Sequence, residues 1–109
     1  MLLTNKAKED FERWLYSNDV LIKDGIYDDT YLTDVFEELP LNLQYASIIE
    51  WFDSVGIYVN SSGLTLSKAF ISDVSVDNNC EYNYDGFRTR KEATEQAIKK
   101  ANEIYNSTL

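Results

Sequence analysis

The chain reads as an α+β domain, a small antiparallel sheet of about three strands packed against a central and a C-terminal helix, with extra helices at the N-terminal end. Three observations predict this. Residues 41–55 carry apolar side chains at helical spacing and run into a glycine, residues 80–85 alternate apolar with polar side chains, and residues 89–105 resume the helical period behind a capping signal.

Residues 5–17 come first. Ala7, Phe11, Trp14 and Leu15 fall on one stripe while Lys6, Lys8, Glu9, Asp10, Glu12 and Arg13 mostly face water, the pattern of an amphipathic helix. Val20 to Ile22 is a short apolar run before the turn signal Asp24-Gly25, and it fits a short strand or an ordered loop equally well. Over residues 28–39, Tyr31, Leu32, Val35, Phe36 and Leu39 again have helical spacing, which predicts a short helix capped by Asp28 or Asp29. Its polar side, with Asp34, Glu37 and Glu38, is the densest acidic surface in the sequence.

The central element runs from Leu41 to Asn60. Tyr45, Ile48, Ile49, Phe52 and Val55 share one helical face, Asn42 is placed to cap the start, and Pro40 separates the helix from what precedes it. Gly56 can take the left-handed conformation that closes a helix, with Ile57 packing back on Phe52 and Ile57 and Val59 continuing as a strand. Trp51 has two readings, a widening of the core face beside Ile48 and Val55, or an aromatic anchor for a partner.

Ser61-Ser62-Gly63 then predicts a loop, and Phe70 to Asp77 a strand with Val74 and Val76 on one side and Asp73, Ser75 and Asp77 on the other. Asn78-Asn79 can supply the positive φ of a tight hairpin. The strand after it sets Cys80, Tyr82 and Tyr84 against Glu81, Asn83 and Asp85, and predicts a half-buried strand in which Cys80 is a structural thiol. Thr89-Arg90-Lys91-Glu92 forms a capping box for the last helix, whose stripe is Ala93, Ala97, Ile98, Ala101, Ile104 and Tyr105. The alanines imply that this helix packs closely, across the sheet.

Composition bounds the function. A chain of 109 residues, 44% hydrophobic and 14% aromatic, is expected to be a single domain (1–109), with a helical N-terminal part over 1–40 and a helix–strands–helix part over 41–109. No apolar run approaches the length of a membrane span and the start lacks a hydrophobic signal core, so a cytoplasmic protein is expected. There is one cysteine and no histidine, no glycine-rich phosphate loop and no nucleophile elbow. The expectation is therefore a non-enzymatic protein, with no catalytic or metal-ligating residues and no cofactor.

Charge is the strongest global feature. Nineteen acidic against ten basic residues give −9, and residues 1–84 alone hold −10. Such a field repels phosphate backbones and disfavours nucleic acid, while it suits a protein partner with a basic surface. The candidate contact residues on that reading are Asp28, Asp29, Asp34, Glu37, Glu38 and Trp51. The one basic concentration, Arg88, Arg90, Lys91, Lys99 and Lys100, offers the alternative of nucleic-acid binding.

Two resemblances bear on this. The run Gly86-Phe87-Arg88-Thr89-Arg90-Lys91-Glu92-Ala93, closing with Ala97-Ile98-Lys99-Lys100-Ala101-Asn102-Glu103-Ile104-Tyr105-Asn106, resembles the C-terminal signature of short uncharacterised proteins of bacteriophages and mobile elements in gut bacteria, and Phe52 to Ile57 resembles their other recurrent segment. That likeness implies no activity but a genomic setting in which small acidic proteins act on host or defence machinery. Arg90-Lys91-Glu92-Ala93 with Ala97-Ile98 also resembles the start of the last helix of the double-stranded RNA-binding domain, although Thr94 stands where a third basic residue belongs. The expected function is thus a protein-binding module that modulates a host or defence protein through its acidic surface, with RNA binding as the alternative.

Overall fold

The computed structural model describes residues 1–17, 36–64, 69–77 and 79–107, with the side chain of Leu64 excepted. Helix α1 (Asn5–Ser17) is followed by α2 (Leu41–Ser54), strands β1 (Ile57–Leu64), β2 (Ala69–Val76) and β3 (Asn79–Phe87), and α3 (Arg90–Ser107). The strands form an antiparallel sheet in the order β1-β2-β3. Helix α3 lies against all the strands, α2 packs on β1 and α3, and α1 packs on α2 and α3. The α+β architecture expected from the sequence is present. The helix predicted over 28–39 lies mostly outside the described residues, as do the Val20–Ile22 segment and its turn; within that helix, Phe36 is buried in the core.

The helical stripes of α1, α2 and α3 are found among the described residues, with one rotation that matters. In α1, Ala7, Phe11 and Leu15 are fully buried. In α2 the buried face is Gln44, Tyr45, Ile48, Trp51 and Phe52. Of the expected stripe Tyr45, Ile48, Ile49, Phe52 and Val55, the residues Tyr45, Ile48 and Phe52 are buried, and with Gln44 and Trp51 joining them in place of Ile49 and Val55 the helix is turned by a fraction of a residue step. Two corrections follow. Trp51 is 2% exposed, with its ring 5.7 Å from Phe11 and 5.0 Å from Tyr105, so it belongs to the core and is not available as a partner anchor. Val55 is 42% exposed, because the helix ends at Ser54 and the backbone has already left the helical path at Val55 (φ −109°, ψ 12°).

The ends of α2 also refine the expectation. Gly56 takes φ +83° as predicted, and its N–H bonds the Asp53 carbonyl. At the start, Asn42 is not the cap. The helix begins two residues earlier than that cap implies, at Leu41, with Pro40 as the flanking residue and no side-chain cap; the Pro40 carbonyl accepts from the N–H groups of Leu43 and Gln44 at 3.0 and 3.1 Å. The proline ring pre-sets φ at −54°, and the Gln44 amide donates back to the Glu37 and Leu39 carbonyls, which holds the approach to the helix in place of a capping oxygen.

The sheet departs from the sequence expectation in three places, each through pairing between neighbouring strands. Ser61, Ser62 and Gly63 belong to β1 and not to a loop, because they pair with Ser72, Ile71 and Phe70. The Ser61 hydroxyl also shares a 2.8 Å hydrogen bond with the Thr94 hydroxyl, and the Ser61 carbonyl accepts from the Arg90 guanidinium at 3.0 Å. Pairing of this kind outweighs low strand propensity. In the hairpin, Val76 faces Asn79, so Asn79 is paired in β3, and the positive φ is carried by Asp77 at +50°; Asn78 is outside the described residues. In β3 the register slips between Val74 and Ser75 and again between Phe70 and Ser72. The first slip gives β3 an extra residue at Glu81 and throws Cys80 off the face that Tyr82 shares with Val74; the second is accommodated by Gly86 at φ +95°. Only Tyr82 of the predicted apolar trio is half-buried. Cys80 is an exposed thiol and Tyr84 is 60% exposed, which corrects the structural role assigned to Cys80.

Helix α3 buries Ala93, Ala97, Ile98 and Ala101, as its stripe predicts, and also Asn102. The asparagine is explained by α1. Asn102 Oδ1 accepts from the Thr4 N–H at 3.0 Å and its Nδ2 donates to Thr4 Oγ1 at 3.1 Å, while Asn106 Oδ1 accepts from the Ala7 N–H at 2.9 Å. The free N–H groups at the start of one helix are thus capped by side chains of another. In contrast, the buried Ser72 hydroxyl has no hydrogen-bond partner among the described residues. We therefore predict opposite effects in urea denaturation: Asn102→Ala lowers stability by about 2 kcal/mol by stranding the Thr4 amide, and Ser72→Ala raises it by roughly 1 kcal/mol.

Candidate functional site

Helices α2 and α3 run in the same direction, with Tyr45 touching Glu95 near one end and Trp51 meeting Tyr105 near the other. Between their N-terminal halves lies a groove of about 400 Å³, lined among the described residues by Leu41, Asn42, Tyr45, Ala46 and Ile49 from α2 and by Arg90, Lys91 and Thr94 from α3. The rotation of α2 that buries Trp51 is what turns Ile49 half out into this groove. A second depression of about 180 Å³, lined by Met1, Leu2, Leu41, Gln44, Tyr45 and Ile48, shares Leu41 and Tyr45 with the first. The surface of α2 is thus a low ridge between two hollows. Leu41, which lines both, is 45% exposed.

The polar groups around the groove are held in place. Arg90 lies over the Phe70 ring at 5.3 Å while it donates to Ser61, and Lys91 stands 3.9 Å from Glu95. Tyr45 donates its hydroxyl to Glu95, and burial first, then that carboxylate, pushes the phenol up to about 12. Tyr105 is matched to Asp10 in the same way and is also raised to about 12, by burial and then by Asp10. In return the Tyr105 hydroxyl holds Asp10 below its ordinary value, with burial opposing and Lys6 and Arg13 assisting. Away from the groove, burial and then the neighbouring Glu50 raise Asp53.

The candidate residues from the sequence fall into three groups. Glu37 and Glu38 are exposed just before α2, and Glu37 takes the N-terminal ammonium at 3.4 Å. Asp28, Asp29 and Asp34 lie outside the described residues, and Trp51 is in the core. The basic residues do not form one patch. At about 100° per residue, Arg90, Lys91, Lys99 and Lys100 point to different quarters of α3. Arg90, held by Ser61 and Phe70, lines the groove together with Lys91, Lys99 turns to solvent, and Lys100 lies 6.0 Å over Tyr82 and 3.5 Å from Glu103. Arg88 is exposed ahead of the helix, where its N–H meets Glu92 at 3.3 Å while Thr89 caps the Glu92 N–H at 3.1 Å. The capping box is therefore present with its carboxylate displaced by one residue.

Among the described residues no three histidine, cysteine or acidic side chains stand close enough to share a metal ion, and no helix is long and apolar enough to cross a membrane. The groove has no marker in the sequence: the helical period puts Ile49 on the core face and singles out neither Leu41 nor Ala46. No family model, curated protein or solved structure matches the chain.

The raised phenols give a pH prediction. Because the fold favours their neutral forms, the stability they contribute is intact below pH 10.0 and is lost as pH rises toward 12. Tyrosinate absorbance is expected to show a late fraction that ionises together with alkaline unfolding, and Tyr45→Phe is expected to shrink that fraction.

Proposed function

We propose that the chain is a non-enzymatic protein-binding module which, in the phage or mobile-element setting its sequence resembles, modulates a host or defence protein. One observation carries the reading: an open apolar groove on α2 and α3, with Leu41 45% exposed in its wall, in a molecule of net charge −9. Apolar hollows bordered by charged residues are what protein interfaces use as a central anchor inside a polar rim. The acidic field, including Glu37 and Glu38, attracts a partner's basic surface over distance, and the groove supplies contact at short range. The partition of roles follows from physics: long-range charge acts on the encounter rate and buried apolar contact on the lifetime.

Duplex RNA is the reading that the C-terminal basic residues suggest. Its support is the exposed cluster Arg88, Arg90 and Lys91 at the start of α3; the divergence of Lys99 and Lys100 weighs against a continuous phosphate track.

The test is a pull-down from a host-type lysate, followed by binding kinetics with the purified partner. Ala46→Arg is expected to shorten the lifetime of the complex about tenfold, and charge reversal at Glu37 and Glu38 to slow association and flatten its salt dependence. Unchanged kinetics in both variants contradict the reading. A salt-sensitive gel shift of duplex RNA, lost on Arg90→Glu with Lys91→Glu, favours RNA instead.

A further inference from the structure

The sign of the charge around the groove is opposite to that of the molecule. Arg90 and Lys91 are the charged side chains among its described lining residues, although the chain as a whole carries −9. Both helices that form the groove begin there, so the positive ends of their dipoles share one end of it. The start of α2 has no side-chain cap, and Asn42 of its first turn lines the wall. Glu95 lies close by and, at 3.9 Å, offsets part of the Lys91 charge while it accepts from Tyr45; Arg90 donates to the neutral Ser61 carbonyl, makes no ion pair among the described residues and keeps its positive charge at the groove.

The shape adds a second constraint. Leu41, Tyr45, Ala46 and Ile49 spread over about 12 Å of α2, roughly two helical turns. The further hollow beyond Leu41 and Tyr45 extends the apolar surface sideways and gives it two recesses separated by a ridge. A compact ligand fills one recess. An amphipathic helix, with large apolar side chains three or four positions apart, places one side chain in each.

We propose that this groove receives an amphipathic helix of a partner protein, with apolar side chains in the two recesses and an acidic side chain beside Arg90 and Lys91. The inference rests on the reading of the groove as a protein-contact surface, and it adds the chemistry of the element that enters. The local reversal of sign sets the direction in which the helix lies, because the opposite direction leaves its carboxylate against apolar wall.

The experiment is peptide selection by display from a random library of helix-forming sequences on the purified full chain. Binding of the enriched peptides is then measured by fluorescence anisotropy and mapped by amide chemical-shift changes. The proposal expects sequences with apolar residues at i and i+3 or i+4 and an acidic residue near one end. Their shifts should centre on Tyr45, Ala46, Ile49 and Thr94, and Lys91→Glu and Ala46→Trp should each weaken binding about tenfold with the melting midpoint unchanged. Enrichment of basic or uncharged peptides, shifts elsewhere on the molecule, or no enrichment above background overturns it. So does competition by duplex RNA for the same residues, or concentration-dependent self-association abolished by Ala46→Trp, which assigns the groove to RNA or to a second copy. If the peptides fail while Ala46→Arg still shortens the lifetime of the natural complex, the helix chemistry is wrong and the protein-binding reading stands.

Discussion

The close approach of α3 to the sheet is the contact on which the rest of the structure depends. Ala93, Ala97 and Ala101 are all fully buried, and with nothing beyond Cβ on that face the helix can settle onto the sheet beside Val74 and Ser72. From that position its neighbouring faces reach everything else. Ile98 and Tyr105 meet the core made by Trp51 and Phe11, Asn102 and Asn106 cap α1, Lys100 lies over Tyr82 of β3, and Thr94 and Arg90 fasten β1. A bulkier side chain at the centre of the alanine face moves the axis outward and loosens all of these contacts together.

The groove is a consequence of the same packing. Trp51 is large and sits between Phe11, Phe52 and Tyr105, and to bury it α2 must turn its Trp51 side inward. Ile49 is then only half-buried at the edge of the core, and it lines the groove together with Leu41 and Ala46, opposite the first turn of α3. Tyr45 spans the two settings: its ring is buried and its hydroxyl closes on Glu95, which ties the groove wall to α3. Fold and candidate site are in this sense one arrangement, and the apolar surface left outside is what the tryptophan displaced.

Much of the fold was legible in the sequence because helical periodicity is written within a single contiguous segment. Phe11 and Leu15, Ile48 and Phe52, and Ala97 and Ile98 each declare their faces locally, and Gly56 and Thr89 mark their helix ends by their own conformational or hydrogen-bonding needs. What failed depended on partners distant in sequence. Ser61 to Gly63 join β1 only because Phe70 to Ser72 lie opposite, and the slip at Glu81 that exposes Cys80 has no local marker in an alternating strand. Asn102 and Asn106 resemble solvent-facing polar residues until α1 arrives to be capped. The site was less legible than the fold, since two apolar residues such as Trp51 and Ile49 do not announce which will be buried when both cannot be. The five basic residues near the C terminus looked like one patch in linear order, and the helical turn separates them.

The most direct measurement of the central claim is the stability of Ala97→Leu against that of Lys99→Leu on the same helix. Both add a leucine of good helix propensity, but position 97 faces the sheet and position 99 faces water. If the close approach of α3 organises the molecule, Ala97→Leu lowers the unfolding free energy by about 1–3 kcal/mol and Lys99→Leu changes it by less than about 0.5 kcal/mol. Equal tolerance of leucine at the two positions would contradict the account.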